Sequence, residues 1–375
     1  MAGIYIHIPF CKTRCIYCDF YSTTRSELKS QYIRALCREL TERKEYLKGE
    51  AVETIYFGGG TPSQLQAADF SRIFEAIHRL FDVSPCAEIT LEANPDDMTP
   101  GYVAGLQTLP FNRVSMGVQS FKEEDLRFLN RRHNREQALL AVDLCKKNGL
   151  ENISVDLIYG LPGQTLEEWK QNLDTVIRLD IPHISAYHLI YEEGTALYKL
   201  KEAGKIIPVD EDLSVALFTS LIDQLTANGY LHYEISNFAR PGMLSRHNSS
   251  YWIGKKYLGI GPSAHSYNGQ NRQWNISSLP GYLQAIDKGV PDIEIEYLDI
   301  NTRYNDFIIT GLRTMWGIKF NEIQQQFGKD KLIYCQKQAA PYLKQGLLIE
   351  KDDTLTLSRN GIFISDSIMS DLLWV

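Results

Sequence analysis

Cys11-Lys12-Thr13-Arg14-Cys15-Ile16-Tyr17-Cys18 places three thiols within eight residues, directly behind a short apolar run, Ile4-Tyr5-Ile6-His7-Ile8. Packing does not ask for such crowding. Three thiolates wrapped around one compact, soft, positively charged object do, which suits an iron–sulfur cluster or zinc. Asp19 and Phe20 follow, so no fourth local thiol closes the set. The pattern describes a three-thiolate site with one metal position open. A zinc ion completed by a distant donor such as His7 is the alternative, although zinc knuckles usually show paired C-x2–4-C spacing.

Working outward, the chain alternates strand and helix patterns. Extended runs at 52–57, 87–92, 113–119, 153–159 and 183–189 are separated by helical spacing at 30–47, 67–81, 100–109, 134–148 and 165–179. Such alternation predicts a parallel sheet. No GxGxxG and no GxxxxGK[ST] occurs, so the dinucleotide and P-loop readings lack their signatures. The expected fold is α/β, a partial (β/α)6 barrel. In a barrel the working face is the carboxyl end of the strands, and there the pattern puts Cys11 to Cys18, Gly58 to Thr61, Glu92, Gln119, Asp156 and Tyr187-His188. Residues 192–228 carry helical spacing and 230–238 look extended. From about Asn301, three short helices and a hairpin across Lys351-Asp352-Asp353 resemble a winged-helix module. The expected organisation is a barrel over 1–240, a connecting segment over 241–300 and a small helical, winged-helix-like domain over 301–375.

A net charge of −7 argues against a general nucleic-acid binder. Seven cysteines are too few for a disulfide scaffold, and clustered free thiols need a reducing compartment. No apolar run reaches membrane-span length, and the first residues do not read as a signal peptide. A cytoplasmic location is expected. Cys37 lies on the apolar stripe of its helix with Ile33, Leu36 and Leu40 and reads as core. His78 and His232 carry no motif.

Cys11-x3-Cys15-x2-Cys18 behind a first strand resembles the signature of radical S-adenosylmethionine (SAM) proteins, and Tyr17 holds the usual aromatic position. The resemblance implies a [4Fe-4S] cluster on Cys11, Cys15 and Cys18, with SAM chelating the open iron. It also implies that Gly58-Gly59-Gly60-Thr61-Pro62, one strand on, binds the methionine amino group. Tyr5-Ile6-His7-Ile8-Pro9-Phe10-Cys11, Phe57-Gly58-Gly59-Gly60-Thr61-Pro62, Ser115-Met116-Gly117-Val118-Gln119-Ser120-Phe121 and Gly160-Leu161-Pro162-Gly163 are similar to the oxygen-independent coproporphyrinogen III oxidase family over nearly the whole chain. That likeness implies SAM contacts from Tyr5, Tyr17, Gly59, Gly60, Thr61, Glu92, Gln119, Arg131 and Asp156. Glu92 and Asp156 suit ribose hydroxyls, and Arg131 suits a carboxylate. Taken singly, Glu92 also reads as a loop cap, and Asp156 and Arg131 as an ion pair.

The oxidases of that family carry a further cysteine two residues after the third, where this chain has Phe20, and an extension before the first strand, which here starts at Gly3. Both departures match a subgroup of haem chaperones, the HemW type, marked by H-N-x-x-Y-W; this chain has His247-Asn248-Ser249-Ser250-Tyr251-Trp252. The subgroup implies haem as cargo and haem-acceptor proteins as partners. A neutral imidazole is a good axial ligand, so His247 is the expected main haem contact, with Tyr251 and Trp252 against the porphyrin and His265 as a lesser candidate. The rival reading is an enzyme, oxygen-independent coproporphyrinogen III dehydrogenase, in which cleaved SAM removes substrate hydrogen. A third is a scaffold with zinc or a degenerate cluster. Acceptors in a respiratory chain would require transient membrane docking.

Overall fold

The computed structural model describes residues 2–375. Its first six strands are β1 (Ala2–Ile8), β2 (Val52–Gly59), β3 (Val83–Ala93), β4 (Arg113–Gln119), β5 (Ile153–Tyr159) and β6 (His183–His188). They pair in sequence order, all parallel. β1 and β6 do not pair with each other, so the parallel unit stays open. Ile4, Ile6 and Ile8 of β1 are fully buried, and so are Ile55 and Phe57 of β2. Strands covered on both faces need this near-continuous apolar character.

The helices between these strands lie close to their expected bounds: Lys29–Glu42, Ala67–Leu80, Pro100–Leu106, Arg135–Lys147 and Leu166–Arg178. Asn134 with Gln137 and Thr165 with Glu168 form capping boxes that fix two of the starts. Cys37 packs against the main core, as its stripe suggests.

Residues 192–228 differ from the single helical segment expected. Gly204, at φ +66°, ends a helix over Ala196–Glu202, and Asp210 caps a second over Glu211–Ala227. Then β7 (Leu231–Glu234) and β8 (Asn237–Ala239) extend the sheet beyond β6.

The segment expected to be a connector is instead built into the sheet. β9 (Lys256–Ile260) pairs parallel with β1, and β10 (His265–Tyr267), β11 (Asn271–Asn275) and β12 (Ile293–Tyr297) follow it antiparallel. The result is one twelve-stranded sheet. The turn from β9 to β10 is so tight that a Cβ on Gly259 would lie 1.9 Å from the His265 carbonyl oxygen.

The C-terminal part has its own core, with Tyr304, Ile308, Ile323, Cys335 and Leu355 fully buried. The three expected helices are Ile300–Leu312, Phe320–Phe327 and Lys329–Lys344. β13 (Ile318–Lys319), β14 (Leu348–Lys351) and β15 (Thr354–Leu357) form a second sheet. Asp352 and Asp353 both have positive φ, 50° and 65°, as a two-residue type I′ hairpin turn requires. This part docks on the first through Met315 N–H to Tyr233 O (2.9 Å), Ile235 N–H to Arg313 O (3.2 Å) and an Arg272–Asp306 ion pair.

Candidate functional site

Because β1 and β2 are neighbours, with His7 opposite Gly58 and Ile8 opposite Gly59, their following loops meet at one end of the sheet. The cysteine loop is pinned on several sides. The Cys11 N–H donates to Thr23 O (2.9 Å), the Asn130 side-chain amide to Arg14 O (2.9 Å) and the Leu197 N–H to Ile16 O (2.8 Å). Lys12 Nζ reaches Asp97 (2.8 Å), which also accepts from Ser63, Gln64 and Arg132. The Tyr17 ring packs against Leu129, Ile158, Leu161, Leu189 and Leu197.

Cys11, Cys15 and Cys18 are free thiols and half-buried. Burial raises the Cys11 and Cys18 thiols, Cys18 to about 11, and the Thr61 hydroxyl, 3.3 Å from Cys11 Sγ, works the other way on Cys11. Arg131 Nη1 donates to Cys15 Sγ (3.4 Å).

The glycine turn leaves no room for side chains. At Gly59, with φ +105°, a Cβ would lie 2.5 Å from the His7 imidazole; at Gly60 it would lie 2.9 Å from Ile8 O. Glu92 at the end of β3 accepts from the Tyr56 hydroxyl (2.7 Å) and the Gly59 N–H (3.2 Å), so it does cap this loop. Burial lifts its carboxyl to about 7, opposed by the Tyr56 hydrogen bond. Asp156 on β5 is lifted to about 6 by burial, opposed chiefly by a hydrogen bond with Ser185, and it also accepts from Ser115.

Arg131 is not hydrogen-bonded to Asp156. It spans Asn94 Oδ1 (2.6 Å), Gly117 O and Cys15, and its buried Nε has no hydrogen-bond partner. Gln119 is left-handed, φ 70°, at a bulge on β4 that bends its amide back over Gly117. Tyr5 lies deeper, its hydroxyl donating to His7 Nδ1 (3.2 Å).

The structure thus brings the cysteines, Tyr17, Gly59, Gly60, Thr61, Glu92, Gln119, Arg131 and Asp156 to the same end of the parallel strands. A thiol set without a fourth local sulfur, a turn stripped of side chains and an orphaned buried guanidinium N–H fit a cluster with an anionic, hydrogen-bonding ligand beside it.

Two residues of this region had no signal in the sequence. Asn94 orients Arg131, and Arg113 lies fully buried beneath the carboxylates with none of its three nitrogens hydrogen-bonded. Its positive charge offsets Glu92 and Asp156.

The HNxxYW stretch forms a helix, Arg246–Trp252, capped by Ser245 and anchored by Glu88, which accepts the N–H groups of Arg246 (3.0 Å) and His247 (2.9 Å). His247 points inward. It is 1 % exposed, with Nδ1 bonded to Thr54 Oγ1 (2.7 Å) and Nε2 to the Tyr251 hydroxyl (2.8 Å), and it stacks on Tyr56 at 4.9 Å. Burial, reinforced by Arg113, lowers its imidazole to about 3. Both ring nitrogens are thus hydrogen-bonded within the chain.

Tyr251 and Trp252 instead help wall a cavity of about 980 Å³, within the range of small-molecule and cofactor pockets. Tyr5, His7, Asp19 and Phe20 form its side toward the cysteine loop. His265, Tyr267 and Arg272 line the sheet side, and Arg303, Phe307, Trp316 and Lys319 the C-terminal side.

Comparison with known proteins places this architecture. Residues 5–176 match the model of the radical SAM superfamily, and residues 298–364 that of the HemN C-terminal domain. Heme chaperone HemW of Lactococcus lactis is 33 % identical over 98 % of this chain and 96 % of its own length. The chain belongs to the HemW family. The Bacillus subtilis member is 30 % identical over 100 % of this chain and 99 % of its own. Among solved structures, Escherichia coli coproporphyrinogen III oxidase, HemN, described as a radical SAM enzyme, superposes with a TM-score of 0.86 at 26 % identity, covering 99 % of this chain and 89 % of that one. The family expected from the motifs is therefore the family found, and the α/β radical SAM fold with it. No described helix is long and apolar enough to cross a membrane.

Proposed function

We propose that this protein is a haem chaperone that binds haem in the cavity between the cysteine loop, the HNxxYW helix and the C-terminal domain, and hands it to acceptor proteins. The observation that carries this reading is the cavity itself: aromatic Tyr251 and Trp252 face it, and cationic Arg303 and Lys319 stand on its far side, suited to a flat apolar ring with carboxylate arms. Support comes also from full-length relatives that carry the name heme chaperone.

In this reading Cys11, Cys15 and Cys18 hold a [4Fe-4S] cluster. Gly59, Gly60 and Thr61 take the amino end of SAM, Arg131 its carboxylate through the unused Nε–H, and Asp156 and Glu92 its ribose. When bound, the cluster supplies one-electron reducing power and an iron that SAM can chelate. The chain's own part is positional. Asn94 holds Arg131, Tyr56 holds Glu92, and Tyr17 braces the loop from below.

The test is a haem titration of the anaerobically purified, iron- and sulfide-reconstituted protein, followed by the Soret band. A saturable band is expected, and its absence sinks the proposal. The likeness to HemN over almost the whole chain keeps a second reading, coproporphyrinogen III dehydrogenase. Incubation with coproporphyrinogen III, SAM and a reductant separates the two, since only the enzyme yields protoporphyrinogen.

A further inference from the structure

We propose that the cavity holds its cargo in one orientation, with carboxylate arms on Arg303 and Lys319 and the carboxylate-free edge toward Asp19 and Phe20. The inference rests on the haem-chaperone reading and deepens it, by naming a carboxylate subsite and the class of tetrapyrrole it admits. It follows from which charges on the cavity wall are already matched. Arg272 is taken, paired with Asp306 and 3.5 Å from Glu296. Lys319 has a loose partner, Glu322 at 3.7 Å. Arg303 is exposed, and its guanidinium has no ion pair and no hydrogen bond among the described residues. The two acids nearest to it along the helix are engaged elsewhere: Asp299 caps the helix through the Thr302 N–H (2.7 Å), and Asp306 holds Arg272.

Local structure holds the two cations on one wall. Arg303, Phe307, Thr310 and Gly311 recur at helical spacing along Ile300–Leu312 and all line the cavity. Arg303 sits in the first turn, where a cation runs against the helix dipole, so helix stability does not account for it. Gly311 lets this helix close on β13: a Cβ there would lie 2.3 Å from Ile318 Cγ2. Gly317, at φ +63°, turns the chain into β13, and a Cβ on it would lie 2.2 Å from Leu355 O. Lys319 stands on β13 opposite Thr354. The spacing between Arg303 and Lys319 is thereby set by close packing within the C-terminal part, before any cargo arrives.

The opposite end has the other sign. Asp19, beside Cys18, is exposed with no ion pair among the described residues, and Phe20 next to it is 64 % exposed. Haem carries both propionates on one edge and only methyl and vinyl groups on the edge across the ring. Set with its propionates on Arg303 and Lys319, it lays the apolar edge on Phe20 and keeps its anions away from Asp19. The guanidinium can grip one carboxylate with two N–H groups, and the ammonium meets the other as a point charge. A tetrapyrrole with carboxylates on every side has no such placement, because one of them must face Asp19.

The experiment titrates the full chain, reconstituted with iron and sulfide, and follows the Soret band. The probes are ferric haem, its dimethyl ester and iron coproporphyrin III, whose propionates are spread round the ring. Wild type is expected to bind haem about tenfold more tightly than either of the others. Arg303→Ala and Lys319→Ala are each expected to weaken haem binding about threefold, as loss of an exposed ion pair does, and to narrow the gap to the ester. Asp19→Asn is expected to narrow the gap to iron coproporphyrin III. A haem-to-ester affinity ratio unchanged in either cation variant overturns the subsite. A haem-to-coproporphyrin ratio unchanged in Asp19→Asn overturns the orientation. No haem band in wild type instead defeats the chaperone reading on which both stand.

Discussion

Single residues at this site are held by steric and electrostatic conditions that substitution exposes. Gly59 combines a positive φ with a Cβ position inside the His7 ring. Gly59→Ala is expected to cost about 3 kcal/mol in urea unfolding, from backbone strain and overpacking together. Gly49→Ala, also at positive φ but with open space around it, is expected to cost about 1 kcal/mol; equal costs would remove the role of the close approach. Cys15→Ser should abolish retention of iron and sulfide after anaerobic reconstitution, and full retention would contradict the proposed ligand set.

The carboxyl of Glu92 gives a pH signature. Its folded pKa of about 7 lies above the unfolded value of 4.5. The folded chain therefore holds a proton that the unfolded chain releases, and stability falls as pH rises from about 4.5 to about 7. Asp156, raised to about 6 from 3.8, acts with the same sign. Glu92→Gln removes the first contribution. Its stability difference between pH 5 and pH 8, read by urea unfolding, should be smaller than that of wild type by about 2 kcal/mol. The amide facing the Gly59 N–H adds an offset at every pH, which leaves this difference untouched. Identical pH profiles would show that Glu92 does not carry the proton.

At the scale of elements, the cysteine loop depends on Asp97, buried at the turn after β3 and shared by Lys12, Ser63, Gln64 and Arg132. Asp97→Ala strands buried donors and frees the loop. A loss of about 2 kcal/mol is expected, with lower iron retention at equal protein concentration; unchanged iron content would show that other bonds suffice to order the loop.

Elements also mark the limit of what the sequence disclosed. The six parallel strands were legible because period and spacing are local properties. So were the thiol trio and the glycine turn. The parallel pairing of β9 with β1 was not, because it joins residues some 250 positions apart and no local pattern encodes it. The inward turn of His247 lay half in view. His247 and Tyr251 are four apart, which on a helix puts them on one face, but the stretch carries few helix signals. Arg113 and Asn94 left no trace, since their roles exist only once four strands are side by side.

On the scale of the whole molecule, two separate buried clusters, one in the large sheet and one in the C-terminal part, meet through a few backbone bonds, the ion pairs Arg272–Asp306 and Arg359–Asp223, Phe218 edge-on to Phe363 at 5.3 Å and Arg313 over Trp252 at 5.4 Å. Calorimetry of the haem-free protein is expected to show two transitions. Haem should raise the lower one, because residues from both parts wall the cavity. A single transition, with equal calorimetric and van't Hoff enthalpies, would mean that the two parts unfold as one.

Phe20 has a consequence at this scale. It is 64 % exposed, two residues past Cys18, and leans over the cavity. Its position is inherited from the loop that the three thiols are proposed to tie to iron. A newly made chain without its cluster would offer haem a chamber with one unfastened side.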